Sequence, residues 1–171
     1  MSGIPKSERD PTRVTHYDKA VKFRKTIIEY LEQDFGTDKA YLSDGTVNHR
    51  YWLIKKIREN IYDLTHDMLV CITAANSIHI YHIYEYNERR RYFTQAISDC
   101  ESILQELNLV IDYLKIKPSK YEEVTEQVKE LIKSIKSKRQ GDNPIRTQIL
   151  ERDAKEKLKI EEKIRAGSIC C

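Results

Sequence analysis

From Thr46 to Lys117 the chain contains neither glycine nor proline. Sheet-containing folds punctuate their strands with turn residues roughly every ten positions. A stretch this long without a breaker predicts long helices. Glycine stands only at positions 3, 36, 45, 141 and 167, and proline only at 5, 11, 118 and 144. The glycines are too far apart to build a glycine-rich phosphate loop, which excludes the nucleotide-binding motifs that depend on one.

Apolar residues repeat at helical steps. Tyr17, Ala20, Arg24, Ile27 and Leu31 are spaced 3, 4, 3, 4, with Val21 and Ile28 widening the stripe, and predict a helix over 17–33. The segment 34–46 reads as a loop with Asp44-Gly45 as its turn. A second helix begins near Val47. Its seam is Ile54, Ile57, Ile61, Leu64, Met68, Cys71, Ala75, Ile78 and His82, the rhythm of a bundle helix. The run IHIYHIY at 78–84 is β-branched and aromatic and would also suit a short strand. The unbroken phase favours helix and places the turn at Tyr84–Asn87, with Asn87 as the N-cap of the next helix.

A third helix over 88–115 carries Phe93, Ala96, Cys100, Ile103, Leu107, Val110 and Leu114. Pro118 ends it and suits the first turn of a fourth, 119–139, whose seam is Tyr121, Val124, Val128, Leu131 and Ile135. In 145–166, Ile149, Leu150, Leu158, Ile160 and Ile164 make a weak stripe in a charged background, the pattern of a peripheral helix. The expected fold is all-α: an antiparallel up-down four-helix bundle over 17–139. An N-terminal arm, 1–16, precedes it, and a charged C-terminal helical extension, 140–171, comes after it.

With 40% hydrophobic and 33% charged residues, the chain can fill one core beneath a densely ionic surface. No run approaches the roughly 18 apolar residues of a membrane-spanning helix. Met1–Asp10 lacks the apolar region of a secretion signal. Four cysteines in 171 residues do not make a disulfide framework. These features lead us to expect a reduced, cytoplasmic protein without membrane contact.

No nucleophile elbow, zinc-protease pair or di-iron carboxylate repeat occurs, so we expect no enzyme, no catalytic residues and no cofactor. Cys71 and Cys100 lie on apolar seams and read as small buried hydrophobes. Cys170 and Cys171 end the sequence without the four-residue box that prenylation requires, and read as an exposed tail. His79 and His82 are three apart and would share a helix face, as a metal pair could. Only Glu85 is near enough to help, so no metal site is expected.

The net charge of +3 by itself implies neither nucleic acid nor membrane. Its distribution says more. Lys129, Lys133, Lys136, Lys138 and Arg139 stand against Glu130 alone, and the first three share one stripe. Cations at a helix C-terminus complement its dipole, which is a sufficient structural reason for them. Arg89, Arg90 and Arg91 fall in the expected first turn of the third helix, where cations are disfavoured, and this violation points to binding. In an antiparallel bundle these cations would share one end with His79, Tyr81, His82, Tyr84 and Tyr86. Basic groups interleaved with flat rings suit RNA or single-stranded nucleic acid. On this reading, removing the three arginines leaves folding unharmed. The bland alternative is a solvated rim with tyrosines packed between helices.

The run from Cys71 to Leu114, CITAANSIHIYHIYEYNERRRYFTQAISDCESILQELNLVIDYL, resembles the middle hairpin of a four-helix-bundle superfamily. That superfamily holds the accessory variability determinants of diversity-generating retroelements and the proteins encoded in ribosomal-RNA intervening sequences. The shared features are Ala75-Asn76-Ser77-Ile78, the arginines opening the third helix and Phe93-Thr94-Gln95-Ala96-Ile97. The fourth helix from Lys120-Tyr121 to Ser137 is also similar, although Lys138 stands near where the retroelement proteins usually carry a tryptophan. The resemblance implies a non-enzymatic accessory protein that binds a reverse transcriptase and its template RNA or DNA and supports mutagenic reverse transcription. It also implies a homo-oligomer, a pentamer, with binding carried by Arg89, Arg90, Arg91 and the basic stripe of the fourth helix. Independently, the off-seam residues Tyr51, Trp52, Tyr62 and Ile80 suggest self-association. The alternatives are a structural oligomerising bundle with no nucleic-acid role and an intervening-sequence-type bundle.

Overall fold

The computed structural model describes residues 15–32, 39–114 and 118–165. Among the described residues five α-helices follow one another: α1 (Thr15–Leu31), α2 (His49–Ser77), α3 (Ile83–Leu114), α4 (Glu122–Gly141) and α5 (Asn143–Arg165). A 3-10 turn over Pro118–Tyr121 leads into α4. Among the described residues there is no strand, and one isolated bridge joins Tyr41 to Val47. The all-α class follows from the missing breakers.

At 29 and 32 residues, α2 and α3 form the spine. Side-chain pairs show how the helices lie. Asn60 donates to Glu106 between α2 and α3. Lys136 meets Glu101, and Arg139 donates to Thr94, between α4 and α3. Lys19 meets Glu130 between α1 and α4, and Tyr30 of α1 packs on Tyr121, the residue that leads into α4. In the α3–α4 and α1–α4 pairings the numbering rises on one helix as it falls on the other. The core they enclose runs through Phe23, Ile61, Met68, Phe93, Ile103, Leu131 and Ile135, all fully buried.

The expected seams of α3 and α4 are the buried ones, with Leu114 outside the side chains described. On α1 the phase differs. The buried residues are His16, Ala20, Phe23 and Ile27, while Val21 is 42% exposed. The large ring of Phe23 turns the helix about one position from the stripe expected through Tyr17 and Arg24. On α2, Thr65 and Ile72 are buried, and their neighbours Leu64 and Cys71 are only half-buried.

The α2–α3 turn also corrects the sequence reading. It falls at 78–82, not at Tyr84–Asn87, and Asn87 is an exposed residue inside α3. The cause is local. Glu85 Oε2 accepts the backbone N–H groups of Tyr81 at 2.7 Å and His82 at 2.6 Å, satisfying donors that a helix start otherwise leaves open. Those two bonds hold the Glu85 carboxyl below its usual pKa. The β-branched Ile78, which caps α2, is extended, with ψ of 117°.

Two further turns are set by named residues. Asn48 caps α2 by accepting the Tyr51 N–H, and Gly45 takes a φ of 83° that side-chain-bearing residues rarely adopt. α4 passes into α5 through Asp142 alone. Pro144 lacks an N–H, and Ile145 and Arg146 both donate to the Asp142 carbonyl. Most of the N-terminal arm and the terminal Cys170 and Cys171 lie outside the described residues. Among the described residues, no helix is long and apolar enough to cross a membrane.

Candidate nucleic-acid interface

One end of the bundle gathers the 78–82 connection, the first turns of α3, the end of α4 and the start of α5. Its centre is a buried ion pair. Arg89 Nε lies 3.1 Å from Asp142 Oδ2, and their side chains are 13% and 6% exposed. The same guanidinium donates to the Ile78 carbonyl at 3.3 Å and lies 5.6 Å from the centroid of Phe93. Lys138 Nζ approaches the other Asp142 oxygen at 3.6 Å. His16 Nε2 sits 2.8 Å from Asn76 Oδ1, with its ring edge-on to Phe93. Burial lowers the His16 pKa, and the nearby Lys138 and Arg89 charges add to that, against the Asn76 bond and Asp142. Burial likewise lowers the Arg89 pKa, and Asp142 opposes it.

Arg89 therefore has a packing role that the sequence reading missed. A phosphate contact there would require breaking the Asp142 pair. The dipole argument for the triple arginine also lapses. α3 begins at Ile83, so Arg89 lies almost two turns inside it, where the dipole has little effect.

The other two arginines face outward. Arg90 Nη1 donates to the Tyr86 hydroxyl at 3.2 Å and to Asn143 Oδ1 at 3.4 Å. Arg91, 69% exposed, meets Glu88 at 3.7 Å and stacks over Tyr92. Among the expected aromatics, Tyr81 and Tyr84 are 59% and 68% exposed, and His79 and His82 are exposed beside them. Tyr86 is buried, its hydroxyl donating to Asn143. His79 and His82 belong to the connection, not to one helix face. Among the described residues no group of three or more His, Cys, Asp or Glu could hold a metal.

The cations of α4 divide in two. Lys138 and Arg139 reach the gathered end. Lys129, Lys133 and Lys136 run away from it, Lys129 paired to Glu126 at 2.9 Å and Lys136 to Glu101. Such exposed pairs are worth little to stability, so their lysines remain available to a partner.

Sequence reading missed what α5 contributes here. Arg152 Nη2 donates to the Tyr81 carbonyl at 3.0 Å, and Ile149 is buried, so α5 lies back against the connection. Arg146 and Thr147 join Tyr86, Asn87, Arg90 and Asn143 around an open notch of about 500 Å³. The signal was faint: of the three apolar residues in the first two turns after Asn143-Pro144, Ile145, Ile149 and Leu150, only Ile149 is buried. The chain matches no protein-family model, no curated protein and no solved structure.

Proposed function

We propose that this chain is a non-enzymatic accessory protein of a diversity-generating retroelement, binding the reverse transcriptase and its template RNA in the cytoplasm and supporting mutagenic copying. The hairpin resemblance supplies the system. The observation that carries nucleic-acid binding is the exposure of Tyr81 and Tyr84 at the same end as Arg90, Arg91 and Arg146. Flat rings take bases, and cations take phosphates. Lys129, Lys133, Lys136, Lys138 and Arg139 extend the cationic track along α4.

The protein works as a homo-oligomer, a pentamer by the resemblance. Support comes from the outer face of the α1–α2 pair, where Val21, Tyr62 and Val70 are 42%, 47% and 50% exposed. Clustered apolar exposure of this kind marks interaction surfaces.

The test is an anisotropy titration of a structured RNA at several salt concentrations, together with co-purification of the reverse transcriptase. Replacing Arg90 and Arg91 with Gln should flatten the log–log salt dependence by roughly 1.4–1.8, at 0.7–0.9 per lost contact. Tyr81→Ala with Tyr84→Ala should weaken binding at every salt concentration. Binding of neither RNA nor the polymerase overturns the reading. A monomeric mass by light scattering at micromolar concentration overturns the oligomer.

A further inference from the structure

We propose that the notch between the first turns of α3 and α5 is a phosphate-binding site, with Arg90 and Arg146 as its two cations. The proposal rests on the nucleic-acid reading above and deepens it, because it moves a phosphate contact onto the C-terminal extension.

The lining is the first argument. Tyr86, Asn87, Arg90, Asn143, Arg146 and Thr147 surround the space, and none of them carries a carboxylate. In a chain with 30 basic and 27 acidic residues, a recess with two guanidinium groups and no acid is an uneven local arrangement. The nearest buried acid, Asp142, is committed to Arg89 and Lys138.

Preorganisation is the second. Arg90 is held on one flank by Tyr86 and Asn143, both neutral, so its charge is positioned without being neutralised. Among the described residues no ion pair engages Arg146, which is exposed. Arg90 and Arg146 line the one recess from separate helices, and a guanidinium fork matches the geometry of a phosphate's oxygens. The Asn87 and Asn143 amides supply further donors, while the Thr147 hydroxyl already donates to the Asn143 carbonyl.

The site is made by side chains. Pro144 has no N–H, and the Ile145 and Arg146 N–H groups are spent on the Asp142 carbonyl, so the helix terminus adds little of its own. Tyr81 and Tyr84 lie exposed at the same end, so a strand whose phosphate enters the notch can lay bases on them.

A phosphate could reach the notch from an internal phosphodiester or from a chain end. The experiment uses a 12-nucleotide single-stranded RNA with and without a 5′-phosphate, the full-length protein, and the variants Arg146→Gln and Arg90→Gln/Arg146→Gln. Arg146 is exposed, so its loss should leave the melting curve in place. We expect Arg146→Gln to weaken both RNAs about tenfold, the scale of one charge-assisted hydrogen bond, and to lower the salt slope by about 0.7. Equal losses on the two RNAs identify a phosphodiester. A loss confined to the 5′-phosphorylated RNA identifies a chain end. Either supports the site. An unchanged affinity and slope in Arg146→Gln, while the wild type binds, overturns the notch and leaves the nucleic-acid reading standing.

If the wild type binds neither RNA, that reading falls and inorganic phosphate decides the notch. Shifts of the Asn87 and Asn143 side-chain amide signals that vanish in Arg90→Gln/Arg146→Gln support it. Their absence overturns it.

Discussion

Replacing Asp142 with Asn tests what holds the bundle end together. The substitution keeps the shape and one acceptor oxygen but deletes the charge that faces Arg89 and Lys138. Breaking a buried ion pair by removing one partner costs about 3–5 kcal/mol. Lys138 is 39% exposed and can turn to water, so its share is small. Arg89 retains the Ile78 carbonyl and the Phe93 ring, which favours the low end, about 3 kcal/mol. A chain of this size loses roughly 2–4 °C of melting temperature per kcal/mol, so the midpoint should fall by about 6–12 °C.

The assay is reversible unfolding by heat and by urea, followed by circular dichroism. Arg89→Gln should cost a similar amount. Arg89→Met/Asp142→Leu should recover more than half of the loss, because an apolar pair leaves no charge stranded. Arg91→Gln, at an exposed position, should stay within about 0.5 kcal/mol of wild type. An Asp142→Asn variant within that same margin, or additive losses in the double variant, would refute the buried-pair argument.

Three further outcomes are expected of the core. His16 has a folded pKa below its ordinary value, so the unfolded chain binds more protons, and stability is full above pH 6.5 and declines as pH falls through that value. The decline can reach at most about 1.4 kcal/mol per pH unit for one group. His16→Gln should be less stable at pH 7.5 yet flatter between pH 7.5 and 5.5, as read by urea midpoints. Phe23→Ala should cost about 3–5 kcal/mol and Val21→Ala under 0.5 kcal/mol, which separates the observed phase of α1 from the one expected of its sequence. Burial pushes the Cys100 thiol up to about 12, so alkylation at pH 8 should reach it only after denaturation, with mass spectrometry locating the label.

How much of this was legible depended on whether a signal was local. The buried positions of α3 and α4 could be read from spacing, because each heptad offers one strong apolar stripe. α1 offered two overlapping stripes that share Ala20 and Ile27, and only tertiary packing, with His16 against Phe93 and Phe23 in the common core, decides between them. The α2–α3 turn was misplaced because a side chain, Glu85, sets it by bonding back to two N–H groups. Spacing carries no trace of that bond. The Asp142 partner of Arg89 was beyond reach, since the two are brought together only by the fold.

The arginine block shows the same limit from the other side. In sequence it is one patch of three like charges. On an α-helix successive side chains diverge by about 100°, so three neighbours cannot share a face. Arg89 lies one turn before Phe93 and two before Ala96, both on the buried seam, so its inward direction was readable from the spacing within the expected helix. Turning Arg89 inward directs Arg90 towards α5 and leaves Arg91 over Tyr92. The block thus offers two solvent-facing charges, and the fold brings Arg146 beside one of them. Removing all three arginines would therefore confound a loss of stability at Arg89 with a loss of charge at Arg90 and Arg91. The informative comparison is between Arg89 alone, which should move the melting temperature, and the outward pair, which should move the salt slope of RNA binding.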